Sequence, residues 1–600
     1  MCGINAIYAY RGSAPNIDRE ELIATRESMR SRGPDASSLW ISIDGRVGMG
    51  HRRLAIIDLS PGGAQPMCRA HSVIVFNGEI YNYRELRSQL EARGVRFTSQ
   101  SDTEVLLQLY EARGAEMLND LRGMFAIVLW DAAKRRLFLA RDPYGIKPLY
   151  YADDGESVRM ASQVRALIAG GRIGNQFDPA GAVGFLLRGT VPEPFTMYRG
   201  IRALPAGSYC FIDNNGVSDI VQYFSIARVL RDNLESPQPR DPETLVHDAV
   251  MESAKYHLVA DVPVGAFLSA GIDSTSVVAL ARESGATDLQ TMTLRFAEYR
   301  GRINDEAPLA AEVAKLYGVP HTIRDLTLDE FKRELPRVFD AMDQPTVDGL
   351  NSYFISKAAS EMGLKVALSG TGGDELFGGY TSFRDIPRWM PFTSLLARVP
   401  HFGNLIAELN AMLARNSRYI SPKMGEIVRY GSSYAGAYLV KRGRFLAPEL
   451  SEIAGPDITR EGLERLDLLR LIDRAITPDP GTPYARVVAL ESSFYLRNQL
   501  LRDMDWASMA HSLEVRVPLV DAHLLRKLAP LLVHRKGRGK QILSAAPRPP
   551  LPPAVRNRGK TGFTLPINEW LREEGRVEHG KRSWARRVYA EIFSASRGNW

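Results

Sequence analysis

The chain has 600 residues, of which 45% are hydrophobic and 24% charged. Those are the proportions of a globular protein with a large core, and they exclude a disordered chain, a coiled coil and a disulfide scaffold. Lys plus Arg (76) against Asp plus Glu (69) leaves +7, too dilute over this length to indicate nucleic acid or a membrane as partner.

The three cysteines, Cys2, Cys68 and Cys210, lie far apart without a CxxC pair, which favours a reducing compartment. The opening MCGINAIYAYRG has neither the basic start nor the apolar stretch of a secretory signal. No run of about 18 apolar residues occurs. The expectation is a cytoplasmic protein. The one dense basic run, Lys581-Arg582 with Arg586-Arg587, reads as a solvated helix face.

In chain order, the first 210 residues alternate short strands with turn signals around two amphipathic helices. Strands are predicted at Val73–Phe76, Phe125–Trp130 and Arg136–Ala140, which are rich in β-branched and aromatic residues, and Ala55–Leu59 is strand-like. Helices are predicted at Arg84–Arg93 and Thr103–Arg113, the second opened by Ser101-Asp102 and closed before Gly114. Arg231 to Pro242 (RDNLESPQPRDP) reads as a linker. Beyond it, strand Val264–Leu268, helix Thr275–Arg282, strand Thr291–Phe296, helix Pro308–Tyr317 and strand Lys365–Leu368 alternate, the rhythm of a doubly wound parallel sheet. Residues 384–530 read as mainly helical, a bundle packed on that sheet.

Two places carry chemistry. At the N-terminus, removal of Met1 would put a thiol and an α-amine on Cys2. The amine's ordinary pKa of about 7.7–8.0 lets it take the thiol's proton near neutrality. A thiolate attacking an amide needs an oxyanion hole, and Asn77-Gly78 offers an amide and a flexible backbone N–H. An amino-acid substrate needs a cation for its carboxylate, which Arg53 could supply, and anions for its ammonium, which Glu79 and Asp102 could supply. The second place is Leu268-Ser269-Ala270-Gly271-Ile272-Asp273-Ser274-Thr275, a strand ending in small residues and hydroxyls that opens a helix, as a pyrophosphate requires. It has a companion in Ser369-Gly370-Thr371-Gly372-Gly373-Asp374-Glu375, a Gly-rich turn whose carboxylates could hold Mg²⁺ on phosphate oxygens. The GxxxxGK[ST] loop is absent, which argues against a γ-phosphate kinase or ATPase.

The segments MCGI, RGPD, HRRLAIID, NGEIYNY, SDTEVLL, GMFA and RDPYGIKPLYY resemble the glutaminase domain of class II glutamine amidotransferases. They stand in the order and spacing of the glutamine-hydrolysing asparagine synthetase family. NDEAPLA (304–310), DQPTVDGLNSY (343–353), LRNQLLRDMDWASMAHSLEVRVPLVD (496–521) and KTGFTLP (560–566) resemble the same family's ATP-pyrophosphatase half. The resemblance implies a two-domain α/β and α+β protein. An N-terminal-nucleophile αββα sandwich (2–210) and a linker (211–242) would precede a doubly wound parallel-sheet adenylating domain with a helical bundle (243–600).

The same resemblance implies Cys2 as nucleophile and Asn77 with Gly78 as oxyanion hole. It puts Arg53, Leu54, Ala55, Ile56, Ile57, Glu79 and Asp102 in the glutamine pocket. ATP would meet Leu268, Leu294, Ser369 and Gly370, with its pyrophosphate on Ser269 through Ser274. Asp273 and Asp374 would be Mg²⁺ ligands, and Lys560 a catalytic cation near the reacting phosphate. The implied substrates are glutamine, ATP and a carboxylate, L-aspartate by default, and a homodimer is the family-level expectation.

Three departures bear on the acceptor half. Ala270 replaces the middle residue of Ser-Gly-Gly, tolerable only if its φ is negative. Thr371 stands where well-studied members carry Glu at the adenylate-forming site, and Trp506 follows Asp505 where Arg is common. A sugar uronate, a peptide carboxylate or a cyclising amino acid is therefore the rival acceptor. A scaffold without activity would be expected to have lost Cys2, Asp273 or Asp374, and all three are present.

Overall fold

The computed structural model describes residues 2–396, 402–415, 423–535, 539–559, 565–572 and 580–594. The N-terminal part is built from two antiparallel sheets. One runs in the order Ile201–Ala203, Tyr150–Asp153, Ser157–Ala161, Gly3–Ala9, Val47–Arg53, Ala36–Ile41. The other runs Gly216–Val217, Ser208–Asp213, Arg136–Arg141, Gly123–Asp131, Ser72–Ile80, Met67–Arg69, with Val221–Gln222 beside Ser208–Asp213. Both central strands are buried on both faces, so their sequences (GINAIYA, SVIVFNGEI) are apolar runs rather than alternations. Ile4, Ala6 and Tyr8 of one sheet pack with Val73, Val75, Ala126 and Val128 of the other. The outer face of the second sheet is covered by helices Tyr83–Glu91 and Asp102–Arg113. Helices Arg19–Glu27 and Val164–Ala169 cover the first, completing four layers.

The C-terminal part holds a five-stranded sheet, His321–Leu326, Gln290–Phe296, Val264–Phe267, Val366–Leu368, Glu514–Arg516, in which every pairing is parallel. Helices Ile272–Glu283, Ala307–Leu316 and Leu350–Glu361 make its crossovers, and the segment from Ser382 to Val533 supplies the helical layer. Within 211–242, residues to Gln222 finish the second antiparallel sheet and Ile226–Asp232 is a helix. Among the described residues no helix is long and apolar enough to cross a membrane. The three cysteines are free.

The predicted strands and helices occur, with shifted ends, and four corrections are needed. Helices Arg19–Glu27, Val164–Ala169 and Pro179–Arg188 are additional to the two expected in the first 210 residues. Ala55–Leu59 is loop, because Asp35 captures the Ala55 N–H (2.8 Å) and Asp261 the Asp58 N–H (2.8 Å), leaving no ladder to join. The helix expected from Thr275 begins at Ile272, inside the small-residue turn. The helical run 384–530 is broken by strand Glu514–Arg516, which carries two charges in three residues. The basic run of the C-terminus does lie on a helix, Lys581–Tyr589, with Arg582 paired to Glu449.

Candidate active sites on a shared strand

Cys2 begins the first central strand and is buried. Its backbone nitrogen donates to Asn77 Oδ1 at 3.0 Å. That fixes the side-chain amide with Nδ2 buried and without a partner, as an oxyanion donor must be before substrate arrives. Burial pushes the Cys2 thiol upward, opposed by the Leu54 N–H and by Arg53. Gly78 has φ 153°, and a Cβ there would lie 2.0 Å from the Met124 carbonyl oxygen, so only glycine fits between the two strands. Arg53 closes the neighbouring turn, donating to the carbonyls of Asp58 and, at 2.9 Å, Ser60. Ala55, Ile56 and Ile57 follow it along that loop.

Glu79 and Asp102 are both buried on one side of this site. Asp102 caps the strand through the Ile80 N–H (3.0 Å), and burial raises its pKa to about 6. Glu79 is raised well above the ordinary carboxylate value by burial and by the nearby Glu514 and Asp102, and its Oε2 has no hydrogen-bond partner.

Arg32, from the RGPD loop, is completely buried. Its Nε donates to the Cys2 carbonyl oxygen (3.1 Å), and its other two nitrogens grip Asp505 of the C-terminal part at 2.7 and 3.1 Å. Sequence reading missed this cross-domain grip. Arg32 lay inside a quoted motif and Asp505 inside another, but nothing local pairs them.

The second site forms where strand Val264–Phe267 runs into helix Ile272–Glu283. Leu268 stays in register through its N–H on Met292 (2.9 Å), two residues before the buried Leu294. Ser269 and Ser274 hydroxyls meet at 3.1 Å across the turn, and the Ser269 N–H also points to Ser274 Oγ at 3.1 Å. Ala270 has φ 50°, the left-handed conformation, so the middle place does need what glycine supplies. Restoring glycine trades that strain against the unfolded chain's extra freedom. Ala270→Gly is therefore expected to shift stability by less than about 1 kcal/mol, read by urea titration.

Gly370 abuts this turn so closely that a Cβ would sit 2.5 Å from the Ser274 nitrogen. Thr371 turns back onto the first loop residue, its Oγ1 3.0 Å from Ser369 Oγ. Asp273 and Asp374 converge on one point, where Lys540 Nζ lies between them, in contact with Asp273 and 2.8 Å from Asp374. Two hard oxygen ligands facing one point suit Mg²⁺, and an ammonium already there shows that the point attracts a cation. Among the described residues no group of three or more His, Cys, Asp or Glu forms a complete metal cage, which is normal for a cation that relies on phosphate oxygens. Lys540 is the second residue that sequence reading missed; the cue was a lysine in the basic run RKGRGK. Lys560 lies outside the described residues.

One strand joins the two sites. Arg516 is fully buried and paired with Glu514 at 2.6 Å, and its Nη2 lies 3.9 Å from Glu79 Oε2. Its own carbonyl oxygen takes the Ser369 N–H at 2.8 Å. Arg516 thus approaches Glu79 with its side chain and holds the Gly-rich turn with its backbone, which leaves the two sites within one strand of each other.

An antiparallel four-layer domain with a cysteine at position 2, joined to a parallel-sheet domain with a phosphate-type turn, has the build of a two-site amidotransferase. Family profiles match accordingly: glutamine amidotransferase domain over residues 1–224 and asparagine synthase over 245–591. The chain is 33% identical to asparagine synthetase [glutamine-hydrolyzing] 1 of Bacillus subtilis, over 98% of this chain and 90% of that one. It is 33% identical to a putative asparagine synthetase [glutamine-hydrolyzing] of Mycobacterium tuberculosis, over 100% and 91%. It is also 28% identical to the amidase chry2 of Gibberella zeae, over 95% and 90%. This chain belongs to the glutamine-hydrolysing asparagine synthetase family of ATP-dependent ligases.

Proposed function

We propose that the chain uses glutamine and ATP to amidate a carboxylate, with L-aspartate as the leading acceptor, giving asparagine, glutamate, AMP and pyrophosphate. The observation that supports this reading is Arg516, whose side chain reaches toward Glu79 and whose carbonyl holds the Ser369 N–H.

Cys2 acts as nucleophile. Its thiolate attacks the side-chain carbonyl carbon of glutamine, and Asn77 Nδ2 with the Gly78 N–H takes the charge that develops on oxygen. The C–N bond breaks as the α-amine returns the proton. Ammonia leaves, and water hydrolyses the thioester to glutamate. Arg53 with the 54–57 loop holds the substrate carboxylate end, and Glu79 with Asp102 its ammonium. In the second site the acceptor carboxylate attacks the α-phosphorus of ATP. Ser269–Ser274 hold the departing pyrophosphate, while Leu268, Leu294, Ser369 and Gly370 surround the nucleotide. Mg²⁺, held by Asp273 and Asp374, would neutralise the phosphates. Lys540 then moves from those carboxylates to phosphate oxygens, and Lys560 offsets charge at the reacting phosphate. Ammonia, kept from protonation by passing through the interior, displaces AMP from the β-aspartyl adenylate. The partners are small molecules, and the chain works in the cytoplasm.

A second reading keeps the chemistry and changes the acceptor to a uronate, a peptide or a cyclising amino acid. Thr371 favours it, because a hydroxyl turned onto Ser369 cannot take the charge role of a glutamate at that place. The deciding experiment is product analysis by mass spectrometry with L-aspartate, ATP, Mg²⁺ and either glutamine or ammonium. Asparagine and AMP in equal amounts would establish the first reading. Glutamate without asparagine or AMP, followed by turnover of a uronate, would establish the second.

The acids also set a pH dependence. Asp102, raised to about 6, must be charged to hold an ammonium. The KM for glutamine in the glutaminase assay is expected to fall as pH rises from 5 to 7. The sign for folding is the opposite: a raised carboxylate favours the fold below its unfolded value of about 3.9, and that contribution is lost by about pH 6. A KM that stayed flat over this range would remove Asp102 from ammonium binding.

A further inference from the structure

A cleft at the junction of the two domains has no part in the chemistry above. Tyr81, Arg122 and Tyr144 line it from the N-terminal part, and His257, Asp521 and His523 from the C-terminal part. It holds about 330 Å³ of empty space, part of it open to solvent, with half-buried His523 and Gly123 at its rim. The charged groups in its walls are committed. Arg122 holds Asp521 at 2.6 Å and Glu252 at 2.8 Å. Asp142 accepts the backbone N–H groups of Phe125, Tyr144, Ile146 and Lys147. His257 gives its Nδ1 hydrogen to the Ser253 carbonyl at 2.8 Å, and burial lowers its pKa to about 4, so it is uncharged near neutrality. Such a cleft suits the passage of small neutral molecules between solvent and interior.

One ring stands in that passage. The Tyr81 N–H is fixed on the Arg122 carbonyl at 2.8 Å, and its ring lies 4.3 Å from the His257 ring. The Arg516 guanidinium lies over the Tyr81 ring at 5.4 Å and also donates to the His257 carbonyl at 2.8 Å, so one arginine backs both rings. Tyr81 is 3% exposed and its hydroxyl is buried without a hydrogen-bond partner, which leaves packing to hold the ring in place. Inward of it is the junction of the two sites, where Glu79 Oε2 and Arg516 Nη2 stand 3.9 Å apart, each without a hydrogen-bond partner. An open acceptor beside an open donor suits a molecule that donates and accepts, as ammonia does. The Tyr81 hydroxyl feels Arg516, Glu514 and Glu79 from that junction and Asp521 from the cleft.

We propose that the Tyr81 ring is the seal that keeps ammonia released at Cys2 from escaping through this cleft before it reaches the adenylate. This rests on the two-site reading above and adds to it a side exit and the residue that closes it. Ammonia is a nucleophile only while its lone pair is free. In the cleft it would take a proton from water and leave as ammonium, so each escape would consume one glutamine without product.

The test is the ratio of glutamate to AMP formed by the full chain at saturating glutamine, L-aspartate and Mg-ATP, with free ammonium measured alongside. The parent should form glutamate and AMP in nearly equal amounts. Tyr81→Ala should form about threefold or more glutamate than AMP, the excess matched by ammonium, while its ammonium-driven AMP release stays within about twofold of the parent. A residue that only supported the fold would lower both reactions together. Tyr81→Phe keeps the ring and should stay coupled. Ala522→Phe puts a ring into the cleft from the other domain and should restore coupling in the Tyr81→Ala background. Should Tyr81→Ala not fold, Tyr81→Leu, which keeps an apolar side chain but no ring, should give the same excess. Hydroxylamine supplies a readout that needs no acceptor. It attacks the Cys2 thioester, breaking the C–S bond and forming a C–N bond, so that γ-glutamyl hydroxamate appears in place of glutamate and the thiol is regenerated. Tyr81→Ala should raise the ratio of hydroxamate to glutamate about threefold or more. Equal glutamate and AMP in Tyr81→Ala, the same excess in Tyr81→Phe, or no recovery with Ala522→Phe would overturn the seal. A parent that makes glutamate without asparagine or AMP would sink the aspartate reading, and the hydroxylamine ratio would then decide the seal by itself, an unchanged ratio overturning it.

Discussion

Asp505→Ala is expected to abolish glutamine-driven product formation nearly as completely as Cys2→Ala, although Asp505 belongs to the other domain. Arg32 is wholly buried and has two tasks, donating from Nε to the Cys2 carbonyl and from its other two nitrogens to the Asp505 carboxylate. Removing the aspartate leaves an uncompensated guanidinium in the interior, a loss of about 3–5 kcal/mol for a broken buried pair. Arg32 would then recruit water or shift, and the strand that presents the thiol would shift with it. A displacement of about 1 Å at a reacting atom costs on the order of 100-fold. Glutamine hydrolysis should therefore fall at least that far, whereas Cys2→Ala leaves ammonia-driven AMP release intact. The discriminating variant is the double replacement Arg32→Met with Asp505→Leu. Apolar residues of similar volume restore stability at a buried ion pair, so its melting temperature should recover. Its glutaminase should not, because the Cys2 carbonyl has lost its donor. Recovery of both would reduce Arg32 to a structural strut.

This coupling illustrates what a linear sequence conceals. The strand-turn-helix units of both sites are local and were legible. An apolar run into small residues announces the Ser269–Ser274 turn, and a cysteine at position 2 followed by an apolar strand announces the first site. The partnerships between sites have no local signature. Arg32 finds Asp505, Lys540 finds Asp273, and strand Glu514–Arg516 joins a parallel sheet through residues far away in the chain. The mainly helical pattern of 384–530 gives no sign of that strand, a three-residue segment with two charges. Here both are buried and pair with each other, so tertiary contact decides the conformation. Ala55–Leu59 failed the other way. Its residues suit a strand, but two carboxylates from elsewhere take its N–H groups first.

The second large effect concerns Lys540, whose ammonium stands where the reading above puts Mg²⁺. Lys540 touches both carboxylates, so its ammonium and a divalent ion compete for one place. ATP changes this by offering Lys540 phosphate oxygens, which releases Asp273 and Asp374 for the metal. Metal binding should therefore depend on nucleotide in the parent protein. Lys540→Met removes that competitor. This variant is expected to bind Mn²⁺ without nucleotide, by electron paramagnetic resonance, at least tenfold tighter than the parent. Its ATP-driven AMP release should nevertheless fall by 100-fold or more, since removing one preorganised charge from a reacting phosphate costs about 2.7–4 kcal/mol. Asp374→Asn should lose both properties, binding no Mn²⁺ with or without ATP. Glutamine hydrolysis should survive each change, because Asp374 and Lys540 do not contact Glu79, Asn77 or Cys2. If Lys540→Met bound Mn²⁺ no better than the parent, the two aspartates would not be a metal site, and Lys540 would be their permanent partner.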